Sequence, residues 1–328
     1  MKTAGFSRFS LARAAALVAV AGIVLCGQAF AQTTYYWDAN DSTAGFGTAG
    51  GTWAAPTTNN STQGWSTSAA GTSAMSGTTT TNATDALNFG TGSAGLSLGT
   101  ITVSGTVNAN SLTFGSASGN ITLSGGTITL GGTTPTITTD NTADTISSVL
   151  AGVGSLSKTT TGVLTLQGAN TYAGGTTIAG GTVTLASTTA LGSGLATLTA
   201  GGTLDLSSQA IANNVAVNGG TLTGGSLDVA QLTSVQSGTI LAILTGTGGI
   251  TKTTAGTLVL GGANSFTGNV TISGGILTVA NSLALGDVTN ALDVASGATV
   301  NLGGNSIILG GFGAGTGTIT ATADSTLT

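Results

Sequence analysis

From about Asp85 onward, apolar and polar residues alternate in short runs. Asn120-Ile121-Thr122-Leu123-Ser124, Thr127-Ile128-Thr129-Leu130, Gly181-Thr182-Val183-Thr184-Leu185 and Thr203-Leu204-Asp205-Leu206 all read this way. A period of two puts Ile, Val and Leu on one face of a strand and Thr on the other. Both kinds of residue suit a pleated backbone. Gly pairs at 125–126, 131–132, 174–175, 180–181, 201–202, 219–220, 224–225, 274–275 and 303–304 separate the runs. Gly reaches positive φ at little steric cost, so these pairs are read as turns. After residue 31 no stretch carries a helical period or a cap, and the pattern predicts an all-β chain.

The runs also repeat. Residues 154–192 align without gaps on residues 248–286. The first copy carries Leu156, Lys158, Leu164, Leu166, Gly168, Asn170, Tyr172, Gly174, Gly180 and Gly181. The second has Ile250, Lys252, Leu258, Leu260, Gly262, Asn264, Phe266, Gly268, Gly274 and Gly275. The swaps, Tyr for Phe and Val183 for Leu277, are conservative, as expected for core positions that keep their volume. One such unit cannot bury its own apolar edge. Stacked units bury a continuous column and satisfy backbone groups between rungs. At roughly 20–25 residues per turn the chain would supply about a dozen rungs of one solenoid.

The first residues are of another kind. Lys2, Arg8 and Arg13 precede an apolar run at 14–25, and Ala29-Phe30-Ala31 fits a small-x-small cleavage site. Residues 1–31 are read as a signal peptide, whose apolar run is shorter than the roughly 20 residues of a membrane span. The only Cys, Cys26, belongs to it. Residues 32–84 hold all three Trp (Trp37, Trp53, Trp65) and are read as a segment covering the start of the solenoid, which occupies 85–328. Stacking on sugar rings is the rival reading of the Trp residues.

Composition narrows the function. Only 5% of residues are charged and there is no His, against about 25% charged in ordinary domains. All ten acidic residues are Asp beyond residue 31, where Lys158 and Lys252 are the only basic ones. An acidic chain with two Lys does not bind nucleic acid. Without His there is neither a Ser-His-Asp triad nor a His metal ligand. Sparse charge suits in-register stacking, since like charges on successive strands repel.

The core Leu-x-Leu-x-Gly-Ala-Asn-[Thr/Ser]-[Tyr/Phe]-x-Gly with a following Thr-Ile-x-Gly-Gly-x-[Val/Leu], at 164–183 and 258–277, resembles the autotransporter-associated β-strand repeat. Tyr36-Trp37-Asp38, Gly50-Gly51-Thr52-Trp53 and Trp65 also look like the opening of such proteins. The resemblance implies a right-handed parallel β-helix passenger, exported to the cell surface, outer membrane or medium. It also implies a structural or adhesive role, with repeats that aid export and folding. Its expected partners are a glycan or a host or cell-surface protein. Autotransporters end in a membrane barrel rich in aromatic girdles. Beyond Phe266 the only aromatic is Phe312, so the C-terminus reads as truncated, with outer-membrane association through a region not included.

Candidate chemistry is thin, and no catalytic, cofactor or metal residue is assigned. Gly95-Leu96-Ser97-Leu98-Gly99 fits a nucleophile elbow but lacks a base and a helix. Gly45-x-Gly47-x-x-Gly50 fits a dinucleotide fingerprint without the strand and helix it needs. Asp140 with Asp144, and Asp287 with Asp293, are the carboxylate pairs an enzyme reading would use. Asp205 and Asp228 follow Gly-Gly pairs but read as solvated surface. Lys158 and Lys252 are expected to point outward and discourage sideways pairing. Asn170 and Asn264 are expected to cap turns, and Tyr172 and Phe266 to lie in the core. Two rivals stand beside the structural role: a polysaccharide lyase or hydrolase, and an export module of a longer protein.

Overall fold

The computed structural model describes residues 32–54, 64–73, 79–321 and 325–328. The signal peptide read at 1–31 lies outside them. Over 86–151 each coil passes through three short segments, and the next coils keep two paired strands each. In one coil the three are Ser111–Phe114, Ile121–Ser124 and Thr127–Leu130; in the next, Thr136–Thr139, Ala143–Ile146 and Val149–Ala151. The segments of these two coils pair in parallel: Thr136 with Ser111, Thr145 with Thr122, Val149 with Thr127. The result is a parallel β-solenoid of about 11 turns. The coil tightens along the chain. Leu87 pairs with Leu112, then Leu156 with Thr176 and Val215 with Leu232.

The period of two becomes an inside and an outside. Ile101, Leu123, Ile146, Leu166 and Leu185 stack in register, each fully buried. On the opposite face Thr122, Thr145, Thr165 and Thr184 form a half-buried polar ladder. A buried Leu contributes about 1.5–3 kcal/mol, while fixing a residue's backbone costs about 1–2 kcal/mol. A single rung therefore gains little by itself and depends on the rungs beside it.

Residues 32–84 supply the first strands of the same stack. Thr34–Trp37 lies parallel to Ala86–Phe89, with Thr34 opposite Ala86, and Thr52–Ala54 lies on Gly99–Ser104. Trp65–Ser66 pairs antiparallel with Thr34–Trp37, in contrast to the parallel order above. Trp37, Trp53 and Trp65 are no more than 1% exposed. Trp65 receives Trp37 and Trp53 edge-on at centroid distances of 4.9 and 5.4 Å, and Phe89 continues the cluster to Phe114 at 5.1 Å. Rings packed this way have no free face for a sugar, which removes the sugar-stacking reading.

Candidate functional site

The repeated residues meet along the seams between rungs. Asn170 and Asn264 do not cap local turns. Asn170 Oδ1 accepts the Leu150 N–H at 2.8 Å from the preceding coil, and Nδ2 donates to Ala190 O at 2.6 Å in the following one. Asn264 repeats this with Leu244 N at 2.8 Å and Ala284 O at 2.7 Å. Each buried amide thus joins three successive coils. It fills a gap in the third segment, where backbone pairing thins after Val149–Ala151. The reading as a turn cap failed because both partners lie a full coil away in sequence.

The repeat glycines stand where the preceding coil passes close. A Cβ on Gly174 or Gly268 would fall on the backbone of Gly154 or Gly248, and one on Gly168 or Gly262 on Ser148 O or Ala242 O and on the Asn amide oxygen. Gly180 and Gly274 face Thr159 O and Thr253 O in the same way. Gly181 and Gly275 add positive φ, 61° and 69°. Leu164, Leu166, Leu258 and Leu260 are fully buried, as are Tyr172 and Phe266. The Tyr172 hydroxyl shares a hydrogen bond with Thr176 Oγ1 at 2.6 Å. In the second copy Phe266 is accompanied by Val270. Donor and acceptor are lost together, the substitution that costs least in a core.

Lys158 and Lys252 overturn the outward reading, for both are fully buried. Lys158 Nζ donates to Thr160 O and to Gly180 O (3.3 Å), and Lys252 Nζ to Thr254 O and Gln236 O (3.0 Å). Each ammonium satisfies carbonyls where the chain turns between the first and second segments. Burial holds both below the usual lysine range, Lys158 at about 8 despite the opposing pull of Asp140 and Asp144.

The carboxylate pairs do not form sites. Asp140 is exposed, whereas Asp144 points into the core directly below Leu164. Asp144 Oδ1 accepts the Ile121 N–H and Asn141 Nδ2, both at 2.9 Å, and Oδ2 has no partner. Asp287 accepts from its own turn, Thr289 N at 2.9 Å and Oγ1 at 2.7 Å, which holds it below the usual carboxylate range. Asp293 accepts Gly315 N at 2.9 Å from the next coil. Asp205 and Asp228 accept from Ser207 N and Ala230 N, two residues on, at the surface. Ser97 sits in an extended bridge with Thr48 and forms no elbow.

The passenger-associated-transport-repeat family matches residues 156–185 and 250–279, the stretches that hold these Gly, Lys and Leu positions. The chain carries autotransporter passenger repeats. Each passenger repeat spans two stacked coils, Leu156–Lys158 with Val163–Leu166 and Thr176–Ile178 with Gly181–Leu185 in the first copy. Over 74 residues, 21% of its length, the chain is 45% identical to the adhesin BmaC autotransporter of Brucella suis biovar 1 (strain 1330). It spans 2% of that protein. No solved structure matches the chain.

Asp144 below the first passenger repeat gives a pH prediction. Burial raises its pKa from 3.8 to about 6, against the opposing effects of the Asn141 and Ile121 hydrogen bonds and of Lys158. The folded chain therefore holds this proton more tightly than the unfolded one. The resulting stability is full below about pH 4 and is lost as pH rises through about 6. Asp144→Asn keeps an acceptor for Ile121 N and offers a donor to the unpaired Asn141 Oδ1. It is expected to gain on the order of 2–3 kcal/mol at pH 7.5 and nothing at pH 4. Urea unfolding of both proteins at the two pH values checks this; equal midpoints at pH 7.5 would refute it.

Proposed function

We propose that the chain is passenger material of an autotransporter-like protein, secreted to the cell surface, where it acts as a stiff, non-enzymatic body with an adhesive role. The observation that carries this is the pair of passenger repeats set into an uninterrupted solenoid. Its outward positions are ladders of Thr, polar but uncharged, suited to a glycan or a cell-surface protein. The adhesin relative supports the same reading. The bonds between coils give the repeats their part in export, since each coil that emerges finds a template in the one before it. Attachment to the outer membrane through a following barrel belongs to the proposal, and reading the frame past the codon for Thr328 tests it.

Protease treatment of intact cells tests display. An antibody to the solenoid should lose its signal without lysis, and a protected signal would sink the proposal. Deleting the gene is expected to lower adhesion to glycan-coated or host-cell surfaces several-fold, with recovery on complementation. The lyase reading has no favouring observation. It would be revived if the purified chain cleaved a uronic-acid polymer and Asp144→Asn abolished the cleavage.

A further inference from the structure

The first segments of successive coils carry a two-dimensional array of small hydroxyls. In Ser111–Phe114 the outward positions are Ser111 and Thr113, and in Thr136–Thr139 they are Thr136 and Thr138, directly opposite. The next coil places Ser157 opposite Thr136, with Thr159 two residues on. Thr177 and then Thr197 continue the first rank, each opposite its predecessor. Thr199 ends the second rank, in which Ala179 is a gap. The residues between the ranks, Leu112, Ile137, Lys158, Ile178 and Leu198, are fully buried. Two ranks of Ser and Thr thus lie side by side on the outer surface of the sheet.

The array is regular in both directions. Neighbouring strands lie about 4.8 Å apart, and alternate residues recur about every 6.6 Å along a strand. Thr is β-branched and stiff at χ1, so its hydroxyl and methyl repeat at those spacings. The hydroxyls are not spent within the chain. Of those in the two ranks, only Thr199 Oγ1 has a hydrogen-bond partner among the described residues, Ile178 O at 3.4 Å. Neither rank carries charge, since Lys158 points inward and Asp140 lies past the end of its strand. The order stops at Thr199, where the register to Asn218 and Gly219 shifts. The Thr ladder of the second segments is less regular: Val163 and Gln167 flank Thr165, and Asp205 stands opposite Thr184.

We propose that this face binds ice. The two repeats lie close to the oxygen spacings on a prism face of hexagonal ice, so water held between the ranks takes up positions that the crystal continues. Ordered first-shell water bridges nearly as well as a direct hydrogen bond and costs little entropy. Other occupants match the face less closely. Sugar recognition draws on aromatic rings, and the ranks contain none. Tyr36, two coils earlier on the same sheet, is stacked on Phe46 at 5.9 Å. Protein partners anchor on Trp, Tyr or Arg in a packed centre, whereas here every position is small and alike. A crystal is the partner whose surface repeats as this one does. The inference goes beyond the adhesive reading and stands without it, because it concerns the solenoid itself and not its display on cells.

The test is the cooling of a single ice crystal in a solution of the purified full chain. A gap between the melting and growth temperatures that widens with protein concentration is expected, together with faceted crystals. Ser157→Tyr sets a bulky ring in the middle of the array and should abolish the gap. Thr165→Tyr, on the second segments, should leave it unchanged, and equal Tm values in the three proteins show that folding is intact. Thr177→Tyr takes the place of Ser157→Tyr if that variant does not fold. The proposal is overturned if the wild-type chain shows no gap, or if the array variant keeps the wild-type gap. An equal loss in Thr165→Tyr would overturn the assignment to this face. Sedimentation with microcrystalline cellulose in the absence of a freezing gap would overturn it in favour of a glycan surface.

Discussion

Gly181→Ala is expected to lower stability by on the order of 2–5 kcal/mol. Two physical terms add. The position sits at φ 61°, where an L side chain costs roughly 1–2 kcal/mol. The added Cβ also falls well inside 3.0 Å of Gly162 O and Thr160 O, rigid backbone atoms at the turn where Lys158 is bound. Forcing the coils apart costs about 1–3 kcal/mol more. Gly297 separates the terms, because it has φ 83° and nothing within 4 Å of a new Cβ. Gly297→Ala should show the backbone cost alone. Stability in a solenoid is a sum over neighbours, so amide exchange in Gly181→Ala should quicken first in Val163–Leu166 and Gly202–Asp205. Equal losses in the two variants would show that the contact between coils carries no weight.

The second large effect is expected at Asn170. Asn170→Ala removes both bonds between coils and leaves Leu150 N and Ala190 O buried without partners. Each stranded group costs about 1–3 kcal/mol, so a loss of about 2–6 kcal/mol is expected. Asn170→Asp should recover little. A carboxylate still accepts from Leu150 N but meets Ala190 O with like charge. Asn264→Ala should match Asn170→Ala, and the double variant should lose the sum, since the two sites share no partner. Chemical denaturation of the four proteins measures this. A loss under 1 kcal/mol in both single variants would mean that water replaces the amide without penalty.

Alternation was the most readable feature of this chain. Leu164 and Leu166, with Thr165 between them, identify the inner and outer faces without any coordinates. Repetition identified the stacked architecture, because two copies that conserve the volume of Tyr172 and Phe266 must keep the same core. The same period also held the answer for the buried charges. In Leu156-Ser157-Lys158 the lysine is two residues from an inward leucine, and in Asp144-Thr145-Ile146 the aspartate is two residues from an inward isoleucine. Local pattern placed both inside, whereas the general expectation that charge faces water had placed Lys158 outside. The pattern prevailed because carbonyls at the coil corners need a donor and because Ile121 N needs an acceptor.

Sequence by itself therefore determined the strand period, the repeat, the sparsely charged outer surface and most of the turn positions, all of which are local properties of neighbouring residues; Gly219–Gly220, read as a turn, lies instead inside the strand Val215–Thr223, where the register is irregular. Only the tertiary structure decided which coil lies on which. That register depends on coil length, which changes from the Leu87–Leu112 pairing to the Val215–Leu232 pairing and has no local signature. Every feature that depends on it was illegible beforehand: the partners of Asn170, the backbone that passes over Gly174 and Gly181, and the carbonyls around Lys158.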